Sequence, residues 1–305
     1  MLKKVLKNVA GMAGVRMHSS NAEVEDNALL AIGAMLSVQQ TLINSNNIND
    51  YEFKIFSQFG DDGIIQYLVR NIEIENEIFI EFGVNNYLES NTRFLMMHNN
   101  WSGFVMDGSE EAMNHLKKQY WYWRYDLSHK AVFIDRENIN HLLAETGFSN
   151  IGLLHIDLDG NDYHILTELD LSNLNPAILI LEYNSVFGCD RKITVPYDKG
   201  FIRRDMHYSN LYFGASLPAL NQAANDKGYA LIGSNLAGNN AYFVRRDLLN
   251  DKVKAVPLHK AFKNSKFRES RNEDFTLSCL SGSERYKLIQ GMNVLNIETN
   301  ELERL

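Results

Sequence analysis

The chain has 305 residues, of which 45% are hydrophobic and 22% charged, with only 4 prolines. This composition is typical of a globular protein with a core and excludes extended disorder and fibrous repeats. The net charge of −8 argues against binding of nucleic acid through the whole surface, so no nucleic-acid partner is expected. The two cysteines are too few for a disulfide framework, which favours a cytoplasmic location.

The first 50 residues are expected to form a helical extension. Residues 1–20 contain three lysines, one arginine and no acid, and their apolar residues recur at helical spacing. This pattern predicts a basic amphipathic helix, which either packs on the domain or a partner chain or makes a peripheral membrane contact. Residues 23–45 predict a second helix, and the two apolar helices offer a surface for homo-oligomer formation. No stretch of the chain has the length and apolar character of a membrane span.

Residues 51–250 show short β-branched and aromatic runs that alternate with segments of helical periodicity. The predicted strands are Ile78–Phe82, Phe104–Met106, Ala131–Ile134, Ile151–Ile156, Ile178–Leu181, Tyr229–Ile232 and Ala241–Val244. The predicted helices are Ile64–Arg70, Glu110–Gln119, Ile139–Glu145, Tyr163–Leu169 and Leu217–Lys227. The alternation predicts an α/β fold with a mostly parallel, seven-stranded sheet covered by helices on both faces. Ligands of such sheets bind beyond the carboxyl ends of the strands.

The first two strands end in residues suited to a ligand. Glu81 and Gly83 end the first strand, where a glycine permits close approach of a ligand and a carboxylate accepts hydrogen bonds. Asp107 ends the second strand and is placed to accept hydrogen bonds from both hydroxyls of a ribose. The alternative role for Asp107 is to cap the next helix, although Ser109 is better placed as the cap.

The fourth strand is followed by two aspartates, Asp157 and Asp159, which share one face of an extended chain. Two neighbouring carboxylates need a cation, a bound ammonium group or a shared proton. They could bind Mg²⁺, act as a general base, or face the positive end of a cofactor. Glu182 and Asn184 end the neighbouring fifth strand and are expected to converge on the pair. His155 lies deeper in the strand and is interpreted as a core residue.

Several segments in this order resemble the FkbM-type methyltransferases, which are class I S-adenosylmethionine-dependent enzymes. The resemblance covers roughly residues 51–250 and includes Ser57–Ile64, Glu81–Gly83, Asp157–Tyr163, Glu182–Asn184 and Gly238–Val244. It implies a Rossmann-like sheet with an antiparallel seventh strand beside the fifth. It also implies methylation of a hydroxyl, since several members methylate sugars or natural products.

The resemblance implies that S-adenosylmethionine is the cofactor and places its site at the strand ends. Asp135 or Asn138 follows the third strand and would reach the adenine, whereas Asp157 would lie nearest the transferred methyl group. The cofactor-binding candidates are Gln58, Glu81, Gly83, Asn85, Asn91, Thr92, Asp107, Gly108, Asp135, Asn138 and Asp157. The catalytic candidates are Asp157, Asp159 and Glu182, which are also the candidate ligands of a divalent metal such as Mg²⁺.

The irregular stretch from Val186 to Phe213 mixes cations with aromatic side chains and is the expected acceptor pocket. Aromatic rings pack on sugars and arginine binds phosphate or carboxylate, which indicates a sugar-containing or glycan acceptor that is phosphorylated or otherwise anionic. The substrate candidates are Asn184, Tyr197, Arg203, Arg204, His207 and Tyr208. The alternative is that these cations simply solvate a long loop.

Three other functions remain open at this point. The Asp157-x-Asp159 pair is also compatible with a Mg²⁺-dependent phosphatase of the haloacid-dehalogenase type or with a nucleotide-sugar glycosyltransferase. A non-catalytic module that only binds the cofactor is the third. Residues 251–305 form a carboxyl-terminal extension that begins with a basic run and ends in a helix from Ser283 followed by an irregular end.

Overall fold

The computed structural model describes the backbone of residues 2–305 and the side chains of residues 21–305. The predicted basic amphipathic face of residues 1–20 lies outside the described side chains. The helices are α1 (Leu2–Gln39), α2 (Asp61–Asn71), α3 (Arg93–Asn99), α4 (Glu110–Lys117), α5 (Ile139–Ala144), α6 (Asp162–Glu168), α7 (Arg203–Met206), α8 (Leu217–Asp226), α9 (Leu258–Ala261) and α10 (Ser283–Ile289). The strands are β1 (Asn76–Phe82), β2 (Ser102–Asp107), β3 (Leu127–Ala131), β4 (Ile151–Ile156), β5 (Ile178–Glu182), β6 (Ile193–Thr194), β7 (Tyr229–Ser234), β8 (Asn240–Arg245), β9 (Asn293–Asn296) and β10 (Glu301–Arg304).

The main sheet has seven strands in the order β3-β2-β1-β4-β5-β8-β7. Strands β1 to β5 pair in parallel, whereas β8 is antiparallel to both β5 and β7. Every residue of β4 and β5 is buried, as expected for central parallel strands covered on both faces. The predicted α/β, Rossmann-like fold with an antiparallel strand beside the fifth is therefore confirmed.

The third strand lies earlier than the sequence indicates. It was expected at Ala131–Ile134, but β3 covers Leu127–Ala131. This strand is at the edge of the sheet and pairs only with β2, so it carries polar residues that an apolar-run search misses. The apolar Val132–Ile134 segment follows the strand instead and lies at the carboxyl edge of the sheet.

The two predicted amino-terminal helices form the single helix α1. Its carboxyl half packs on the rest of the fold, because the Asp26 carboxylate accepts hydrogen bonds from Arg93 and from the Tyr120 hydroxyl, both at 2.6 Å. Gly33 lies directly on the ring of Phe94, where an added Cβ atom would be 2.4 Å from a ring carbon. Residues 21–39 are therefore attached to the domain.

The carboxyl-terminal end is an ordered hairpin, and the expectation of an irregular end was wrong. Strands β9 and β10 pair antiparallel, and β9 also pairs with β6 to make a three-stranded sheet. These strands are only four residues long and largely polar, so local sequence does not reveal them. Strand β9 pairs with Ile193–Thr194 of β6, about 100 residues earlier in the chain. Among the helices that the structure describes, none is long and apolar enough to cross a membrane.

Candidate functional site

A cavity of about 590 Å³ opens at the carboxyl ends of β1, β2 and β4. Its volume lies in the range of sites for cofactors and small molecules. Its walls are formed by the first three strand ends on one side and by the Asp157–Asn161 loop and the α7 region on the other. The lining residues are Gly83, Asn85, Asp107, Gly108, Ser109, Val132, Phe133, Ile134, Asp157, Leu158, Asp159, Asn161, Phe201, Ile202, Arg203, Arg204 and Asn210.

Gly83 brings the ends of β1 and β4 into direct contact. Its φ is +71°, and an added Cβ atom would lie 1.7 Å from the carbonyl oxygen of Asp157. No residue with a side chain fits there. This close approach places the loop after β1 and Asp157 on the same wall of the cavity.

Asp107 lies at the cavity wall, where the sequence places it. One carboxylate oxygen accepts a hydrogen bond from the backbone N–H of Asn85, and the other from that of Ser109, both at 2.7 Å. Ser109, and not Asp107, caps α4 by accepting from the N–H of Ala112. A carboxylate has about four acceptor positions, so the oriented group keeps the capacity to bind two further donors.

The loop after β3 contributes apolar surface to the cavity, and its polar candidates lie behind that surface. Asp135 and Asn138 bond reciprocally, each side chain accepting from the other's backbone N–H. Asp135 also pairs with Lys199 at 3.0 Å. The cavity wall itself is Val132–Ile134, and the ring of Phe133 is 46% exposed.

Glu81 is buried beside the cavity and does not line it. Its carboxylate accepts hydrogen bonds from Ser90 Oγ at 2.6 Å, from Thr92 Oγ1 and from the backbone N–H of Asn91, and His155 Nδ1 lies 3.0 Å from it. Burial alone would raise the pKa of Glu81, but the hydrogen bonds from His155, Ser90 and Thr92 outweigh it and hold the pKa below its ordinary value. Glu81, Asn91 and Thr92 therefore fix the loop after β1 from within, and His155 is the core residue that the sequence indicates.

Two further candidates lie away from the cavity walls. Gln58 is exposed on the loop before α2. Asn184 is buried, and its side chain donates to the carbonyls of Leu211 and Phe213 and accepts from the N–H of Val186. It anchors the segment that leads away from β5.

The loop after β4 is held in shape by Asp162. This buried carboxylate accepts hydrogen bonds from the backbone N–H groups of Leu158 at 2.8 Å and Gly160 at 3.0 Å. Burial raises its pKa to about 6 despite these donors. The turn leaves Asp159 with a φ of +53° and its side chain mostly exposed. Asp162 is thus structural, whereas Asp157 and Asp159 are free to face the cavity.

The structure brings Asp157, Asp159 and Glu182 together as the sequence predicts, whereas the prediction that Asn184 also converges on the pair was wrong, because its amide bonds backbone carbonyls elsewhere. One carboxylate oxygen from each of the three acids lies within 4.8 Å of the others. Burial and the charge of Asp159 raise the pKa of Asp157 to about 7, and burial with the charges of both aspartates raises the pKa of Glu182 well above its ordinary value. Glu182 Oε2 has no hydrogen-bond partner within the part of the chain that the structure describes. The cluster therefore holds protons near neutral pH unless a cation joins it.

Arg203 supplies positive charge beside these carboxylates. Its guanidinium bonds Asp159 Oδ1 at 2.7 Å, bonds Glu269 and the carbonyl of Asn210, and lies 3.5 Å above the Phe213 ring. Burial opposes its charge, but the carboxylates of Asp159, Glu269 and Glu182 hold the pKa of Arg203 above its ordinary value.

The other substrate candidates divide into two groups. Arg204 lines the cavity with its side chain mostly exposed. Tyr197 lies in a separate cavity of about 360 Å³, where its hydroxyl accepts from the N–H of Arg136. His207 and Tyr208 stack on each other with ring centres 4.5 Å apart and do not line the main cavity.

Phe133, Leu158, Phe201 and Asn210 line the cavity but were not among the candidates from sequence. Phe133 and Leu158 are apolar residues just beyond strand ends, and such residues are usually assigned to the core. Leu158 could have been identified by its position two residues past the predicted end of the strand at Ile156, whereas Phe133 falls inside the predicted third strand and carries no such signal.

No family model matches the chain, and no curated protein matches it. Solved structures with a similar course of the chain include an O-methyltransferase from Bacillus cereus in complex with SAH, at 10% identity and a TM-score of 0.41, covering 71% of this chain and 89% of that one. The N-terminal domain of EvdMO1 with SAH bound has 11% identity and a TM-score of 0.38, covering 62% and 80%. An S-adenosylmethionine-dependent methyltransferase from Clostridium acetobutylicum has 9% identity and a TM-score of 0.38, covering 60% and 89%. At these values the likeness concerns the general fold alone.

Proposed function

We propose that this protein is an S-adenosylmethionine-dependent O-methyltransferase whose acceptor is a hydroxyl of a sugar or glycan-like molecule. The observation that carries the proposal is one cavity that joins an oriented strand-end carboxylate, Asp107, to the acidic cluster of Asp157, Asp159 and Glu182. The order of strands and the antiparallel β8 agree with a class I methyltransferase sheet.

The residues of the cavity fit the parts of this cofactor. Asp107 would accept hydrogen bonds from the two ribose hydroxyls, and the exposed Phe133 ring with Val132 and Ile134 offers an apolar surface to the adenine. Gly83 and Asn85 line the cavity beside the end of β1, where the methionine part would lie. S-adenosylmethionine supplies a methyl group on a positively charged sulfur, which suits a wall that carries Asp157.

The acidic cluster is suited to receive the proton of the acceptor hydroxyl. As the oxygen of the acceptor bonds to the methyl carbon, its proton must leave, and the unprotonated form of Asp157 can take it. The pKa of about 7 for Asp157 makes this group a base that is half ionised near neutral pH. Two neighbours of Asp157 would balance the change in charge during this transfer. Arg203 bonds Asp159, and Glu182 Oε2 has no hydrogen-bond partner among the described residues.

Phe201, Ile202 and Arg204 supply the proposed acceptor wall. Phe201 contacts Gly160 of the acidic loop, so that an aromatic ring borders the cluster. Arg203 bonds two carboxylates, whereas Arg204 is mostly exposed and has only the exposed Asp205 carboxylate 3.5 Å from its Nε among the described residues. Arg204 is therefore the better placed of the two to bind an anionic group of the acceptor. Tyr197, His207 and Tyr208 are not needed for this arrangement.

Isothermal titration with S-adenosylmethionine tests the cofactor. We expect saturable binding by the unmodified protein, a loss of at least tenfold in affinity for Asp107→Ala, and unchanged binding for the control Asp251→Ala, an exposed aspartate remote from the cavity. A tenfold loss corresponds to about 1.4 kcal/mol, a modest cost for an oriented charged hydrogen-bond partner. No binding by the unmodified protein contradicts the proposal.

Transfer of labelled methyl groups to a panel of sugars and sugar phosphates tests the acceptor. We expect Asp157→Asn to bind the cofactor but not to transfer methyl groups. Arg204→Ala should raise KM for phosphorylated acceptors more than for neutral ones, with Arg246→Ala as the exposed control. Equal KM changes for both classes of acceptor would remove the anionic part of the proposal.

The acidic cluster also favours a second version of the site, in which a divalent cation such as Mg²⁺ binds Asp157, Asp159 and Glu182. Three carboxylate oxygens lie within 4.8 Å of one another, and Glu182 Oε2 has no hydrogen-bond partner among residues 21–305. Oxygen ligands of this kind are the ones that this ion prefers. A metal there would lower the pKa of the acceptor hydroxyl. The same geometry would serve the phosphatase or glycosyltransferase alternatives.

Titrations of Mg²⁺ and Mn²⁺ against the unmodified protein and Glu182→Gln separate these versions. Methyl transfer that is unaffected by a chelator supports the carboxylate alone. Metal-dependent binding of a nucleotide sugar, or release of phosphate from a phosphorylated substrate, without binding of S-adenosylmethionine contradicts the methyltransferase proposal. Cofactor binding with no transfer to any acceptor indicates the non-catalytic module.

A further inference from the structure

We propose that the outer face of α1 joins two copies of this chain through an antiparallel helix pair with twofold symmetry. The face consists of six residues, here called the α1 seam: Val24, Ala28, Ala31, Met35, Val38 and Leu42. All six are exposed, and the four larger side chains are 68–84% exposed. Leu42 belongs to the 3₁₀ turn Gln40–Leu42 that continues the helix.

The spacing of the seam matches helix pairing. Successive members are separated by four, three, four, three and four residues, which is the alternation of apolar residues found in paired helices. The opposite face of α1 is already used, because Leu29, Leu30 and Leu36 pack against Phe94 and its neighbours. The seam is therefore a second apolar face that packing on the domain does not account for.

The seam is complementary to itself only when two helices run antiparallel. Its members lie in pairs at equal distances on either side of Gly33, so a twofold axis there places Val24 opposite Leu42, Ala28 opposite Val38, and Ala31 opposite Met35 of the second copy. Each alanine then faces a larger side chain, as knobs-into-holes packing requires. A parallel pair in register would place each alanine opposite itself and leave gaps.

The residues beside the seam also fit this arrangement. About the same centre, Asn27 faces Gln39, two side chains able to exchange hydrogen bonds, and Glu25 faces the uncharged Thr41. The two Glu25 carboxylates then lie at opposite ends of the interface, about 24 Å apart along the helix. A surface that matches itself about a twofold axis is the property of an isologous dimer interface, so a second copy of this chain is the occupant.

Sedimentation velocity on the full chain tests the association. We expect a dimer for the unmodified protein and a monomer for Met35→Glu, with the same circular dichroism spectrum because the Met35 side chain is exposed in each copy. Leu302→Glu, which changes an exposed leucine on β10, is the matched control and should stay dimeric. A monomeric unmodified protein, or a dimer that persists in Met35→Glu, overturns the proposal.

Disulfide trapping tests the orientation. Both native cysteines, Cys189 and Cys279, are first replaced by serine. The double variant Val24→Cys/Leu42→Cys should then form covalent dimers on mild oxidation, whereas Val24→Cys alone should not. Cross-linking by Val24→Cys alone indicates a parallel pair and overturns the proposal. Monomers that bind anionic lipid vesicles through the seam, and lose that binding in Met35→Glu, overturn it in favour of a membrane contact.

Discussion

Burial of Asp157 beside the Asp159 carboxylate should lower the free energy of unfolding, and replacement of Asp157 by asparagine should recover that loss. The pKa of Asp157 is raised from 3.8 to about 7, so the folded protein holds a proton that the unfolded chain releases. This difference between the two pKa values corresponds to about 4 kcal/mol. The side chain is only partly buried, so screening by water in the cavity reduces the expected value to about 2–4 kcal/mol.

The sign of the pH dependence follows from proton binding. Below about pH 4 Asp157 is protonated in both the folded and the unfolded protein, so it does not change the free energy of unfolding. Between pH 4 and 7 the unfolded chain ionises first, so this residue lowers the stability of the unmodified protein as the pH rises, and above pH 7 the penalty is constant. Asp157→Asn, which cannot ionise, should therefore stabilise the protein by about 1 kcal/mol at pH 5 and about 2–4 kcal/mol at pH 8.

Urea unfolding followed by tryptophan fluorescence at pH 5, 6, 7 and 8 measures this difference. Asp251→Asn, at an exposed position, is the control and should change the free energy of unfolding by less than about 0.5 kcal/mol at every pH. Under the proposed function, the same Asp157→Asn protein should also lose methyl transfer, because a charge used in catalysis can be kept at a cost in stability. A gain that does not grow with pH, or a loss of stability at pH 8, would refute the reasoning.

Three further substitutions test the packing around the site. Gly83→Ala should abolish folding, with a cost above about 3 kcal/mol, because a Cβ atom would overlap a neighbouring backbone oxygen; a native circular dichroism spectrum would contradict this. Asp26→Asn should lower the free energy of unfolding by about 3–5 kcal/mol, because it leaves the buried Arg93 charge unpaired. Adding Arg93→Met to the same chain should recover part of the loss. No recovery would show that the unpaired charge is not the cause. Tyr242→Phe should cost about 1–3 kcal/mol in urea unfolding, since its hydroxyl donates to the buried Asp61 carboxylate, and a neutral effect would show that this bond is unimportant.

The central strands could be predicted from sequence because burial on both faces requires apolar residues at consecutive positions. Strands β4 and β5 are covered on both faces, so they appear as unbroken apolar runs, and the polar residues that end them stand out. Asp157 follows β4 in this way, Asp107 follows the shorter apolar run Phe104–Met106 of β2, and both line the cavity. Edge strand β3 and the β9–β10 hairpin have no unbroken apolar run, because their stability depends on pairing with distant segments.

The class of fold and the positions of the strand ends can be read from periods of two and 3.6 residues along the chain, and the carboxylates that follow those strands are then visible in the sequence. Which of these polar residues face the cavity depends on the packing of distant segments. Glu81 and Asp107 both lie near the ends of neighbouring strands, but Glu81 pairs with Val105 and so lies two residues deeper than Asp107. Glu81 is enclosed by Ser90, Thr92 and His155, whereas Asp107 borders the cavity. A buried carboxylate needs hydrogen-bond donors around it, and the donors to Glu81 come from segments that are distant from it along the chain. Local sequence therefore does not show that Glu81 is enclosed.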